Sequence, residues 1–200
     1  MLPLLLASAS PRRRELLERV GVALEVRPAE VDERPEPNEN PAVYVSRLAH
    51  AKAYAVARRP SQWVLAADTT VTIDGKILGQ AANGEEAAEM LRQLAGRVHQ
   101  VITAFTILGD EGDSVFHRDG IIATDVAVID LSEQAIADYV ASGEWRGKAG
   151  AYAIQGIGAA IVREVRGSVT NVIGLPLVEV LEALRAVGAP SAKFAAGTAA

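Results

Sequence analysis

Hydrophobic positions along the chain switch between an unbroken or two-residue rhythm and a helical one. Leu2–Ala7 is a short continuous apolar run, and it predicts a buried strand. Leu16, Leu17 and Val20 then fall at helical spacing, with Ser10 as N-cap, Pro11 at the first helical position and Gly21 past the end, which predicts a helix over Pro11–Val20. Ala23–Arg27 reads as a second strand. Pro28–Pro41 is too rich in proline for regular structure and is read as a loop. A helix over Pro41–Arg58 has Val45, Leu48, Ala49, Ala55 and Val56 available for one face. Trp63–Ile73 is strand-like, Asp74-Gly75 is a hairpin turn signal, and Lys76-Ile77-Leu78 returns.

The second half continues in the same way. Glu85–Leu94 predicts a helix, and Val98–Leu108 and Val115–Ile129 predict two long strands joined by the acidic turn Gly109–Asp113. Ser132–Ala141 is a helix capped by Ser132. Gly143–Gly158 is a glycine-rich loop region, Ala159–Val165 a strand and Leu177–Val187 a last helix. Internal repeats and interdomain linkers are absent from this pattern. The expectation is a single α/β unit over residues 1–187, built on a mixed twisted sheet with flanking helices, and a low-complexity, frayed tail over 188–200.

Composition narrows the function classes. Half of the 200 residues are hydrophobic, enough for a sizeable core, and the net charge of −5 gives no sign of a nucleic-acid coat or a basic membrane anchor. There is no cysteine, hence no disulfide framework and no thiolate metal site. The longest apolar stretches fall far short of a membrane span, and Leu2–Ala7 lacks the preceding basic segment of a signal peptide. A soluble cytoplasmic protein with neither nucleic-acid nor membrane partner is expected.

The first helix raises a chemical question. Its first turn holds Arg12, Arg13 and Arg14, although a helix N-terminus already bears about half a positive charge and a cation there costs about 0.3–1 kcal/mol. The placement makes sense if a polyanion docks at the strand-to-helix turn, where free backbone N–H groups, the Ser8 and Ser10 hydroxyls and the planar arginine fork all suit phosphate. The turn is not a Walker loop, since G-x-x-x-x-G-K-[ST] is absent. Asp68, after the apolar "VLAA", is read at or near the end of a buried strand, where a carboxylate needs a partner or a metal. Glu30, Asp32 and Glu33 lie in the proline-rich loop. If that loop folds over the same edge, Glu33 and Asp68 can share a hard divalent cation bridging to phosphates. Lys52, four residues after Leu48, is within reach of the same phosphates. His50, His99 and His117 show no metal-ligand spacing and are read as structural. No G-x-S-x-G elbow is present. In Gly150–Ala160 the glycines suit a close approach of backbone to a flat ligand, with Gln155 offering a donor and an acceptor to a base edge.

"ASASPRRRELL", "EVDE", "RLAHAKA", "AADTTV", "KAGAYAIQG" and "VIGLPL" stand together in the order seen in the Maf family, which the chain resembles from Leu4 to about Leu184. The resemblance implies an ITPase-like α/β fold of two lobes around a cleft, often as a homodimer. It implies hydrolysis of a nucleoside triphosphate to the monophosphate and pyrophosphate, with a divalent cation such as Mg²⁺, Mn²⁺ or Co²⁺. Carried over by position, Asp68 is the proton acceptor and a metal ligand, Glu33 the second metal carboxylate, and Ser8, Arg13 and Lys52 the triphosphate contacts, with Ser10 beside them on the anion-site reading. Arg12, Thr69 and Gln155 match the dTTP/UTP type of the family rather than the 7-methyl-GTP type, which has Trp, Gln and Glu there. One departure stands out: the usual Lys-Pro after the hairpin strand is Gln80-Ala81, so either Gln80 meets the phosphate as a neutral amide or a nearby cation, Lys148 or Lys76, takes the place of the lost charge. Two other readings remain open on these residues, a non-catalytic regulator of septum formation and a nucleotidyltransferase.

Overall fold

The computed structural model describes residues 2–111 and 114–192. Among these residues seven strands form one sheet: β1 (Leu4–Leu6), β2 (Leu24–Val26), β3 (Val64–Ile73), β4 (Lys76–Leu78), β5 (Val98–Glu111), β6 (Ser114–Val128) and β7 (Val162–Arg166). Their order is β2-β1-β3-β5-β6-β7, with β4 also paired to β3. β1 is parallel to β2 and β3, and every other pairing is antiparallel, so the sheet is mixed. Among the described residues six α-helices flank it: α1 (Pro11–Arg19), α2 (Pro41–Ala55), α3 (Gly84–Leu94), α4 (Glu133–Ser142), α5 (Val169–Ile173) and α6 (Leu177–Ala186).

The two faces of β3 do different jobs because side chains alternate along a strand. Val64 and Ala66 pack with Leu5, Ala53 and Val56, while Ile102 and Ala104 of β5 meet Tyr44, Val45, Leu48 and Ala49 of α2. On the other face two apolar clusters lie along the same strands. One joins Leu65, Ala67, Phe105 and Ile107 to α1 and α6. The other joins Val71, Ile73, Val101, Val126 and Val128 to α3 and α4. Between them runs a polar seam. Thr69 and Thr103 share a hydrogen bond of 2.8 Å, and Asn171 of α5 donates to the Val101 carbonyl at 3.0 Å and to Thr124 at 2.9 Å.

Several sequence expectations shift. The first strand is Leu4–Leu6 rather than Leu2–Ala7, α2 ends at Ala55 rather than Arg58, and the last strand starts at Val162 after a 3-10 turn over Gly156–Ala160. α5 was not expected; it is a single short turn and a half between the Ser168 cap and Gly174. Ser10 holds the N-cap position of α1 but makes no cap bond; its own N–H instead donates to Ser8 Oγ at 3.2 Å. Part of the Gly109–Asp113 turn and residues 193–200 of the tail lie outside the described residues.

Candidate active site

β3 has an interrupted outer edge, and the site lies at the interruption. β1 pairs with Val64 and Leu65, with the Ala7 N–H reaching the Leu65 carbonyl at 2.8 Å, and β4 pairs only from Val71 onward. Asp68 and Thr69 sit between these two neighbours. This corrects the expectation that Asp68 ends a strand: it is the fifth of ten residues in β3, and it is β1 that ends. Alternation then sends Asp68 to the α2 face and Thr69 to the face of the polar seam.

On the α2 face, Lys52 Nζ lies 2.6 Å from Asp68 Oδ1 and 2.6 Å from Glu33 Oε1. Lys52 is there because it extends the buried stripe of Tyr44, Val45, Leu48 and Ala49 by one helical turn. Burial pushes the Asp68 carboxyl up from its ordinary value, against the opposite pull of Lys52 and then Arg13. Glu33 reaches the cleft from a loop without regular structure, and α2 holds that loop. Tyr44 Oη donates to the Glu33 carbonyl at 2.9 Å, and Arg47 makes two bonds of 2.7 Å to Glu39 and one of 3.2 Å to the Arg34 carbonyl.

The arginines at the start of α1 separate by position. Arg14 points outward to Glu18 at 3.5 Å, an ordinary exposed pair. Arg13 is only 8% exposed. Its Nε donates to the Gly174 carbonyl at 2.8 Å, Nη1 to Ser8 Oγ at 3.2 Å and Nη2 to Thr69 Oγ1 at 3.0 Å. All three acceptors are neutral, so burial dominates and pushes the guanidinium below its ordinary value. A buried cation without a bonded carboxylate is costly unless an anion joins it. Arg12 ties two segments together, donating to the Ile173 carbonyl at 3.2 Å and the Gly147 carbonyl at 3.3 Å.

These groups surround one cleft of about 340 Å³, a volume typical of small-molecule sites. Ser8, Ser10, Arg12, Arg13, Glu33, Lys52, Asp68, Thr69, Gln80 and Gln155 all line it. Residues that are remote in sequence therefore converge as a basic, partly buried end around Arg13 and Lys52 and a glycine-rich end near Gln155. Residues 3–187 match the profile described as Maf-like protein.

The chain belongs to the Maf family.

Its relatives agree in name. The dTTP/UTP pyrophosphatase of Anaeromyxobacter dehalogenans is 50% identical over 187 residues, covering 94% of this chain and 95% of that one. The dTTP/UTP pyrophosphatase of Cereibacter sphaeroides is 46% identical over 194 residues, covering 96% and 99%. Among solved structures, a nucleoside-triphosphatase / dITP/XTP pyrophosphatase from Mycobacterium abscessus is 16% identical and covers 94% of this chain and 97% of its own, with a TM-score of 0.42.

The Maf cleft also uses groups that the sequence did not single out. Thr103 and the Gly174 carbonyl complete the shell around Thr69 and Arg13. The signal for Thr103 was present, as a threonine breaking an apolar alternation in β5. Lys148, one of the two cations that the sequence offers in place of the missing lysine at position 80, lines the cleft beside the bridge that pairs Gln80 with Ala149. Its ammonium donates to the Glu144 and Arg146 carbonyls at 3.2 and 3.1 Å, and burial followed by Arg12 pushes its pKa down. Lys76, the other cation near the hairpin, is exposed on β4 and is not among the lining residues. His99 is buried against Tyr152 Oη at 2.7 Å and burial pushes it down to about 4, so it is a neutral structural histidine.

Proposed function

We propose that this chain hydrolyses dTTP and UTP to the nucleoside monophosphate and pyrophosphate. The observation that supports this best is the buried Asp68 carboxylate, raised in pKa, beside Lys52 and Arg13 in a nucleotide-sized cleft. The names of its relatives supply the substrate class. In the proposed reaction water attacks the α-phosphorus, Asp68 takes its proton, and the bond from that phosphorus to the pyrophosphate oxygen breaks. Arg13 and Lys52 hold the negative charge that develops on the phosphate oxygens, while Ser8, Ser10 and the free N–H groups of α1 hold the rest of the triphosphate.

The residues also suit a divalent cation. Glu33 and Asp68 converge on one positive centre, the Lys52 ammonium, through hard carboxylate oxygens. Among the described residues no group of three or more histidine, cysteine, aspartate or glutamate side chains could hold a metal alone, so on this reading phosphate oxygens would have to complete the ion's shell. Glu33 and Asp68 would hold Mg²⁺, Mn²⁺ or Co²⁺, and such an ion supplies charge neutralisation at the triphosphate. Under the same reading residues 1–187 work as one domain, with 188–200 outside it. The enzyme acts on free cytoplasmic nucleotides as a homodimer, without nucleic-acid or membrane partners.

The direct test is incubation with UTP or dTTP and a divalent cation. Equal amounts of monophosphate and pyrophosphate are expected. A regulator makes neither and a transferase requires a second substrate, so either result overturns the proposal.

Base choice is assigned to Arg12, Thr69 and Gln155. UTP and dTTP should be used in preference to GTP and 7-methyl-GTP. Gln155→Glu replaces a donor-acceptor amide with an acceptor-only carboxylate, which meets the pyrimidine carbonyls without a proton. An unpaired polar group of this kind costs about 1–3 kcal/mol, so kcat/KM for UTP should fall roughly 5–150-fold. Unchanged selectivity in competition assays would remove Gln155 from base reading.

Gln80 and Lys148 give a second comparison. Lys148 already brings a positive charge to the cleft wall next to Gln80, so Lys148→Ala should lower kcat/KM on UTP by about tenfold, the worth of one charge-assisted hydrogen bond. Gln80→Lys should raise kcat/KM by less than that, because a cation is present there. Steady-state kinetics on UTP check both, and a large gain from Gln80→Lys with no loss from Lys148→Ala would reverse the assignment.

A further inference from the structure

The segment that carries Gln155 has little regular structure of its own. Gln155 is exposed, and its side chain makes no cap bond to the 3-10 turn that follows it. Its backbone, however, is held on both sides by one pair of residues at the end of α4. Before Gln155, the Ala153 N–H donates to Tyr139 Oη at 3.2 Å. After it, the Ile157 N–H donates to Glu144 Oε1 at 2.9 Å and the Gly158 N–H to Glu144 Oε2 at 2.8 Å. The two anchors are joined, because Tyr139 Oη donates to Glu144 Oε2 at 2.7 Å.

The fit around this carboxylate is tight. Gly156 has φ +75°, and a Cβ added there would stand 2.0 Å from Glu144 Oε1. A side chain at residue 156 would therefore expel the carboxylate and strain the backbone together. Tyr139 is 4% exposed, and burial, followed by its bond to Glu144, raises its pKa, so the phenol keeps its proton and stays a donor. Glu144 thus accepts three charge-assisted hydrogen bonds, two of them from consecutive backbone amides, the arrangement by which a carboxylate organises a loop. The Lys148 ammonium bonds the carbonyl of the same residue, so the cleft wall on the Gln80 side is attached to Glu144 too.

We propose that Glu144, with Tyr139, is the positioning element for base selectivity: it sets the backbone that presents Gln155 to the nucleobase without touching substrate itself. The inference rests on the proposed base-reading role of Gln155. It assigns selectivity to a residue outside the cleft lining.

Glu144→Gln is the nearest isostere, since it keeps shape and replaces one acceptor oxygen with an NH₂ that cannot accept from an amide N–H. Two readouts are needed. Backbone amide exchange at Ile157 and Gly158, followed by hydrogen–deuterium exchange, should accelerate by at least about tenfold while the core strands keep their protection. The ratio of kcat/KM for UTP to that for GTP should fall by about tenfold or more, mainly through a higher KM for UTP. Tyr139→Phe, which removes one of the three donors, should shift both readouts in the same direction by less. A general loss of folding would lower both nucleotides alike and leave the ratio unchanged, and that result overturns the proposal. Unchanged exchange at 157–158 overturns it as well. If wild type itself fails to discriminate UTP from GTP, the base reading of Gln155 falls, and this inference with it. If wild type discriminates and Glu144→Gln keeps the ratio, the inference alone falls.

Discussion

Replacing Asp68 by asparagine should lower turnover of UTP by roughly 10²–10⁴-fold, the usual contribution of a positioned general base. The variant keeps the shape of the side chain and the Glu33–Lys52 contact, so nucleotide affinity measured without divalent cation should change little. The pH dependence follows from the direction of the Asp68 shift. Its carboxyl is raised by burial, so the acid limb of kcat/KM in wild type should lie above the ordinary aspartate value of about 3.9, with activity lost as pH falls through it. That limb should vanish from the residual activity of Asp68→Asn. Stability has the opposite sign. A carboxyl with a raised folded-state pKa binds its proton more tightly in the folded protein, so its ionised form costs stability above that pKa; the cost shrinks as pH falls through it and is gone below the unfolded-state pKa. Asp68→Asn should therefore unfold no lower than wild type at neutral pH. Near-normal turnover in a correctly folded variant would remove Asp68 from the chemistry.

Arg13→Met should lower kcat/KM on UTP by roughly 10²–10³-fold, the scale for losing one preorganised donor to a developing anion. The guanidinium is buried, so added salt should reduce the activity of wild type and variant alike without closing the gap between them. Arg13→Lys should recover little. One ammonium on a flexible stem cannot serve Gly174, Ser8 and Thr69 at the angles that the planar fork does. Thermal unfolding should be far less affected than catalysis, because the substitution also removes a buried charge that has no bonded carboxylate. Kinetics on the methionine and lysine variants, paired with melting curves, check this. Full activity in Arg13→Met would shift the phosphate role to Lys52 and Lys148.

Much of the site was legible from side-chain chemistry placed on predicted elements. Lys52 fell on the buried stripe of a helix by its spacing from Leu48, and that stripe brings it to Asp68. The excess of arginine at the start of α1 was equally informative, and the structure shows why one of the three differs: the helix turns Arg13 inward and leaves Arg14 in solvent. Other features had no sequence counterpart. Asp68 looked like the end of a strand because only its apolar flank was visible, and one strand's pattern does not reveal where its neighbour stops. Glu33 sits in a loop without periodicity, and its position depends on Tyr44 and Arg47, which read as ordinary helix residues. α5 was too short to show a hydrophobic period, although Ser168 and Gly174 mark its ends.

The two apolar clusters on one face of the sheet are threaded by the same long strands, β3, β5 and β6, with the polar seam between them. A jaw hinged at the cleft would have to bend all three strands and strain an unbroken ladder from Val64–Leu108 to Thr72–Gln100. The sheet therefore acts as a rigid spine, and the span between the basic end and Gln155 is set like the gap of a fixed gauge. What can adjust is the lining: the proline-rich loop clipped to α2 and the glycine-rich segment clipped to Glu144. Selection for a different nucleotide would then act on the clips and the loops they hold, while the gauge itself stays unchanged.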